Sequence, residues 1–167
     1  MAKLLRKVQY KPNWDPEGEF SKYLPNGLAP ADALWDLKTK GNALSLWQID
    51  DQESNLERVL AAMVSTADHL QTIDYLVIDM QHVVELRLSI IQSAGDTYDA
   101  KVNDNWHFDL TKLSATDLAK LANTMLSHGK TDRRNDRALA LLLKGSVEKG
   151  YVDHAKLKPN VQNRISK

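Results

Sequence analysis

Between Ser54 and Leu70 the apolar side chains recur as Leu56, Val59, Leu60, Met63, Val64, Ala67 and Leu70. This spacing gathers them on one face of an α-helix. Ser54 with Glu57 three residues on forms the pair of a capping box, and Asp50, Asp51 and Glu53 suit the positive end of the helix dipole. The pattern predicts an amphipathic helix over 54–70 as the element against which the rest of the chain packs.

Ahead of it, Lys3–Tyr10 alternates, with Leu4, Arg6, Val8 and Tyr10 on one side and Leu5, Lys7 and Gln9 on the other. That is a strand, and its three basic side chains suggest a sheet edge. Residues 11–30 hold four of the five prolines (Pro12, Pro16, Pro25, Pro30) together with Trp14, Phe20 and Tyr23. Proline lacks the N–H and disfavours helix at the residue before it, so this stretch is irregular, a wrapping arm or a binding loop. Pro30 starts a short helix over Ala31–Lys38, with Gly41 as its left-handed stop. In Ala43–Asp50, Leu44 and Leu46 face one way and Trp47 and Ile49 the other, the pattern of an interior strand.

Beyond the central helix, Ile73, Leu76, Val77, Met80, Val83 and Val84 keep helical spacing. A second helix is expected there, although Tyr75–Ile78 alone also reads as a buried strand. Leu86, Leu88 and Ile90 then alternate as a half-buried strand. Asp96–Asp109 is rich in Asp and Asn and reads as a long loop anchored by Trp106 and Phe108. Ser114 and Asp117, flanked by Leu113 and Leu118, mark the start of a helix that Gly129 ends. Thr131 or Asp132 opens the last long helix, whose second half, Ala138–Leu143, is apolar nearly all round. Gly150 ends it, and Val152–Lys158 adds one turn. The expected fold is α+β, about four helices on a small sheet, with a doubly wound α/β arrangement as the alternative. One mixed domain spans residues 1–158, and residues 159–167 form a loose basic tail.

Hydrophobic content of 43% in 167 residues is that of an ordinary globular chain. No apolar run approaches the roughly 20 residues that cross a bilayer, and the N-terminus lacks the apolar core of a secretory signal. The absence of cysteine excludes disulfides, thiolate metal sites and a cysteine nucleophile. Together these favour a cytoplasmic protein. The net charge of zero is unevenly spread: residues 50–117 carry 4 basic and 13 acidic side chains, whereas residues 118–167 carry 11 basic and 4 acidic ones.

Few residues carry a chemical signature. Asp79, His82 and Glu85 have spacing that metal sites use, but the second histidine of HExxH is missing. His107 beside Asp109 is a candidate general base, outweighed by a structural role. There is no GxSxG, SxxK, GxGxxG or P-loop sequence, and no metal or cofactor is expected. The composition therefore favours a non-catalytic protein of the immunity, antitoxin, adaptor or regulatory kind, acting by protein–protein binding. Its expected contacts are Trp14, Phe20 and Tyr23, with Asp96, Asp99 and Asp104 as a steering surface. The alternative is a nucleic-acid-binding regulator, in which Arg133, Arg134 and Arg137 at the start of the last long helix read base edges. A small hydrolase-like enzyme ranks third.

Overall fold

The computed structural model describes residues 2–25 and 27–166. Six strands, β1 (Lys3–Val8), β2 (Leu44–Ile49), β3 (Ile73–Asp79), β4 (Ser89–Gln92), β5 (His107–Thr111) and β6 (Lys130–Arg134), form one sheet in the order β4-β5-β2-β1-β3-β6. Every pairing is antiparallel, which rules out the doubly wound alternative and supports the α+β expectation. Side chains of a strand point alternately to opposite faces, and both faces of the middle strands are buried. Leu5, Ile49, Ile73 and Tyr75 face a core closed by α1 (Leu56–Ser65), α3 (Ala100–Trp106), α5 (Asp136–Glu148) and α6 (Pro159–Ile165). Leu4, Val8, Leu44, Leu46, Leu76 and Ile78 face a second core, closed by α2 (Met80–Glu85), α4 (Ala115–His128) and the irregular residues 11–37. Within that stretch Lys11–Trp14 and Ala31–Leu37 are 3-10 turns.

Several expectations are corrected. β1 is an interior strand, not an edge, because its basic side chains are accommodated elsewhere: Lys3 bonds Glu53 at 2.6 Å and Arg6 bonds backbone carbonyls. The predicted second helix is mostly β3. A strand buried on both faces has a near-continuous apolar run that mimics helical spacing. Residues 96–109 hold α3 and the start of β5, since the Asp99 carboxylate accepts from the Val102 amide at 3.2 Å and so caps a helix. The last long helix begins at Asp136, capped by Asn135, because residues 130–134 pair with β3 as a strand. Within α5, Leu139, Ala140 and Leu143 are buried while Leu141 stands in solvent. Residues 159–165 are no loose tail: Val161 and Ile165, one helical turn apart, are buried in the α1–α5 core.

The central helix forms but ends at Ser65 rather than Leu70. The Ser65 hydroxyl donates to Ala62 O at 2.7 Å and accepts from the Tyr98 amide at 3.0 Å, which competes with helix continuation. Its start is also built differently, because Asp50 takes both the amide and the hydroxyl of Ser54. The α4 capping box forms as expected, with Ser114 and Asp117 bonded reciprocally. Gly129 then passes so close to Met125 O and Leu76 that a Cβ there would lie 2.4 Å and 2.7 Å from them. The turn into β2 has Gly41 and Asn42 both at positive φ, with Lys40 and Ala43 exchanging backbone bonds of 3.0 and 3.1 Å. This is the primed hairpin geometry that matches strand twist, and it fixes Lys40 beside the end of β1.

Candidate binding surface

The segment from Tyr10 to Leu37 covers its side of the sheet with few anchors. Trp14 is only 2% exposed, and Ala33 and Leu37 are fully buried. The Trp14 indole Nε1 donates to Asp36 Oδ2 at 2.6 Å, and the Gln9 amide donates to Asp36 Oδ1 at 2.5 Å. Asp36 is itself buried, so its carboxylate is held by two donors. Trp14, expected on a contact surface, is therefore a core residue.

Most of the large apolar side chains of the segment, in contrast, are exposed. Among the described residues, seven of the eleven exposed large apolar side chains are Tyr10, Phe20, Tyr23, Leu24, Leu28, Leu34 and Trp35. Tyr23 is 82% exposed and Trp35 70%. Tyr10 meets Phe20 edge to face at 6.0 Å, and the Lys22 ammonium lies 4.8 Å from the centre of the Tyr23 ring. Phe20 and Tyr23 are thus exposed to solvent. Trp35 joins them in solvent.

Beside Trp35 the sheet forks. β1 pairs with β2 only through Lys3, Leu5 and the residue between them, opposite Ile49, Trp47 and Gln48. Past that point the strands part, and the Arg6 side chain fills the gap. Its Nη1 donates to Ser45 O at 2.9 Å, while Nε and Nη2 donate to Asp36 O at 3.0 and 2.8 Å. Burial lowers the proton affinity of the Arg6 guanidinium, with Asp36 acting in the opposite direction. Above this floor lies a groove of about 560 Å³ lined by Arg6, Lys7, Gln9, Trp35, Asp36, Lys38, Thr39 and Lys40. Lys7, Lys38 and Lys40 make no ion pair among the described residues. No motif marks this groove in the sequence. The nearest signal is the density of lysine around Trp35.

The expected acidic steering surface is not brought together with the rings. Asp99 is 1% exposed and takes the Arg58 guanidinium through two bonds of 2.7 and 2.9 Å. Arg58 in turn lies 3.5 Å from the centre of the Tyr151 ring. Asp96 and Asp104 are exposed, but Asp96 precedes α3 and Asp104 lies within it, and α3 closes the opposite side of the sheet from the arm. The arginines of the expected reading helix are also dispersed. Arg133 and Arg134 are on β6, where Arg133 bonds the buried Asp74 at 2.6 Å and Arg134 bonds Asp132 at 2.6 Å. Arg137 is on α5, beside a groove shared with Leu141, Lys144 and Arg164. The helix-turn-helix geometry is absent because β6 separates α4 from α5.

Two carboxylates along the β3–β6 pair are strongly held. The Arg133 guanidinium, with the Lys11 amide at 3.1 Å, keeps Asp74 below the usual carboxylate range. Burial pushes the Tyr75 phenol up, and its bond of 2.8 Å to Asp132 adds to the shift. His82 and His128 stack with ring centres 4.0 Å apart, and His82 Nδ1 is 3.9 Å from Glu85. His107 is buried against Trp47, with Nδ1 2.8 Å from the Ser93 hydroxyl. Asp109 accepts from the Ser45 hydroxyl at 2.9 Å and is not bonded to His107. Among the described residues no three His, Asp or Glu side chains converge as metal ligands, and no helix is long and apolar enough to cross a membrane. Compared with protein families, curated proteins and solved structures, the chain matches none.

Proposed function

We propose that this chain is a non-catalytic protein of the cytoplasm that works by binding another protein through its Tyr10–Trp35 arm, as an adaptor or regulator does. One observation carries the reading: the exposed large apolar side chains are concentrated on a single segment instead of being scattered. Isolated exposed apolar residues are ordinary, but a contiguous set marks an interaction surface. Tyrosine and tryptophan contribute most of the energy where interfaces are mapped, because a rigid ring buries a large area at low entropic cost. Here Tyr23 and Trp35 supply such rings, while Trp14 and Leu37 hold the segment to the sheet.

The test uses three immobilised baits in parallel: the wild-type chain, Tyr23→Ser/Trp35→Ser, and Leu141→Ala on α5 as a control for apolar exposure elsewhere. A protein from the source lysate held by the wild type and by Leu141→Ala, but lost from the double variant, is the expected result. Identical captured sets on all three baits would overturn the reading.

A further inference from the structure

We infer that the groove at the β1–β2 fork is a carboxylate-binding subsite that seats an acidic segment of the partner protein. The inference rests on the protein-binding reading and specifies the chemistry of its partner. Three observations carry it. The groove is positive: Arg6 is offset by the neighbouring Asp36, whereas Lys7, Lys38 and Lys40 have no acidic partner among the described residues. Its floor is built rather than incidental. Arg6 is wedged where the two strands part, held by Ser45 O and Asp36 O, and an arginine has five N–H groups of which these bonds use three. Its rim is the exposed Trp35 ring, which belongs to the same segment as the other exposed apolar side chains, so one ligand can place carboxylates in the groove and apolar side chains against that segment.

A nucleic acid shares the negative charge but fits less well. The arm leading to the groove exposes Asp15, Glu17, Glu19 and Asp32, which repel a phosphate backbone laid along it. A protein segment can confine its acids to the groove and avoid that repulsion.

The experiment measures fluorescence anisotropy of labelled hexaglutamate with the full chain, at low and at physiological salt. Hexalysine and a single-stranded oligonucleotide of equal charge are run alongside. Hexaglutamate is expected to bind, to weaken as salt rises, and to lose about three- to tenfold in affinity in Lys38→Ala/Lys40→Ala. Lys144→Ala on α5 is expected to change nothing. No binding of hexaglutamate, equal loss in both variants, or tighter binding of the oligonucleotide would overturn the subsite. The two readings also separate in the capture experiment. A partner lost from Tyr23→Ser/Trp35→Ser but fully retained by Lys38→Glu/Lys40→Glu would refute the acidic segment and leave the arm as the interface. Loss from both baits, with unchanged circular dichroism, supports the groove.

Discussion

The two sides of the sheet are covered in different ways. On one side α1, α3, α5 and α6 together leave one large apolar side chain in solvent, Leu141, among the described residues. On the other, the segment from Tyr10 to Leu37 leaves seven. A regular helix repeats its apolar positions on one face, so burying that face hides nearly all of them. The arm is fixed at isolated points, by Trp14, Ala33, Leu37 and the carboxylate of Asp36, and its intervening rings have no inward face to occupy. A segment serving only as a cover could carry polar side chains at those positions. The difference separates what holds the fold together from what remains available for recognition.

That contrast can be broken first at its anchors. If the arm is firmly integrated, Trp14→Ala should destabilise the protein by about 3–5 kcal/mol in urea unfolding, as much as Leu60→Ala on the helical side at about 2–5 kcal/mol. A cost for Trp14→Ala well below that of Leu60→Ala would show the arm to be loosely attached. Next in size is Asp36→Ala. It leaves the Gln9 amide and the Trp14 indole N–H without their acceptor, at about 1–3 kcal/mol for each buried donor. Chemical denaturation at neutral pH measures it, and Asp36→Asn, which keeps an acceptor oxygen, should recover part of the loss.

A smaller effect is confined to acid. Asp74 titrates below the ordinary carboxylate value when folded, so its contribution to stability is complete above about pH 4. It is lost as pH falls from there through the folded value. Unfolding followed from pH 5 downward should show a shallower acid limb in Asp74→Asn than in the wild type. Identical limbs would mean that the Arg133 contact does not hold in solution. The smallest expected effect sharpens the comparison most. Tyr23→Ser and Trp35→Ser should each change stability by no more than about 0.5 kcal/mol, as surface substitutions do. A larger loss from either would place that ring among the anchors.

Local patterns in the chain revealed part of this. The alternation in β2 and the capping box of α4 were readable because each is specified by neighbouring residues. β3 was not, because Ile73, Leu76, Val77 and Met80 satisfy helical spacing as well as they satisfy a strand covered on both sides. β6 was hidden for the opposite reason. Its residues are nearly all polar, and what makes them a strand is remote: Asp74 for Arg133, and the Tyr75 hydroxyl for Asp132. At the candidate surface, Phe20 and Tyr23 stood out as rings in a proline-broken stretch. Trp14 did too, but its acceptor lies 22 residues away on Asp36. The groove was illegible for the same reason, since Lys7 meets Lys38 and Lys40 only because the strands diverge after Leu5.

The strand order also bears on how such a chain assembles. The first strand lies in the interior, and the next two flank it on either side. β6 then attaches outside β3, while the β4–β5 pair attaches outside β2. No strand has to be inserted between two that are already joined, so the structure can grow outward from its oldest part as the polypeptide leaves the ribosome. The outer edge of β2 is then covered by β5 and that of β3 by β6, which leaves β4 and β6 as the two margins of the finished sheet.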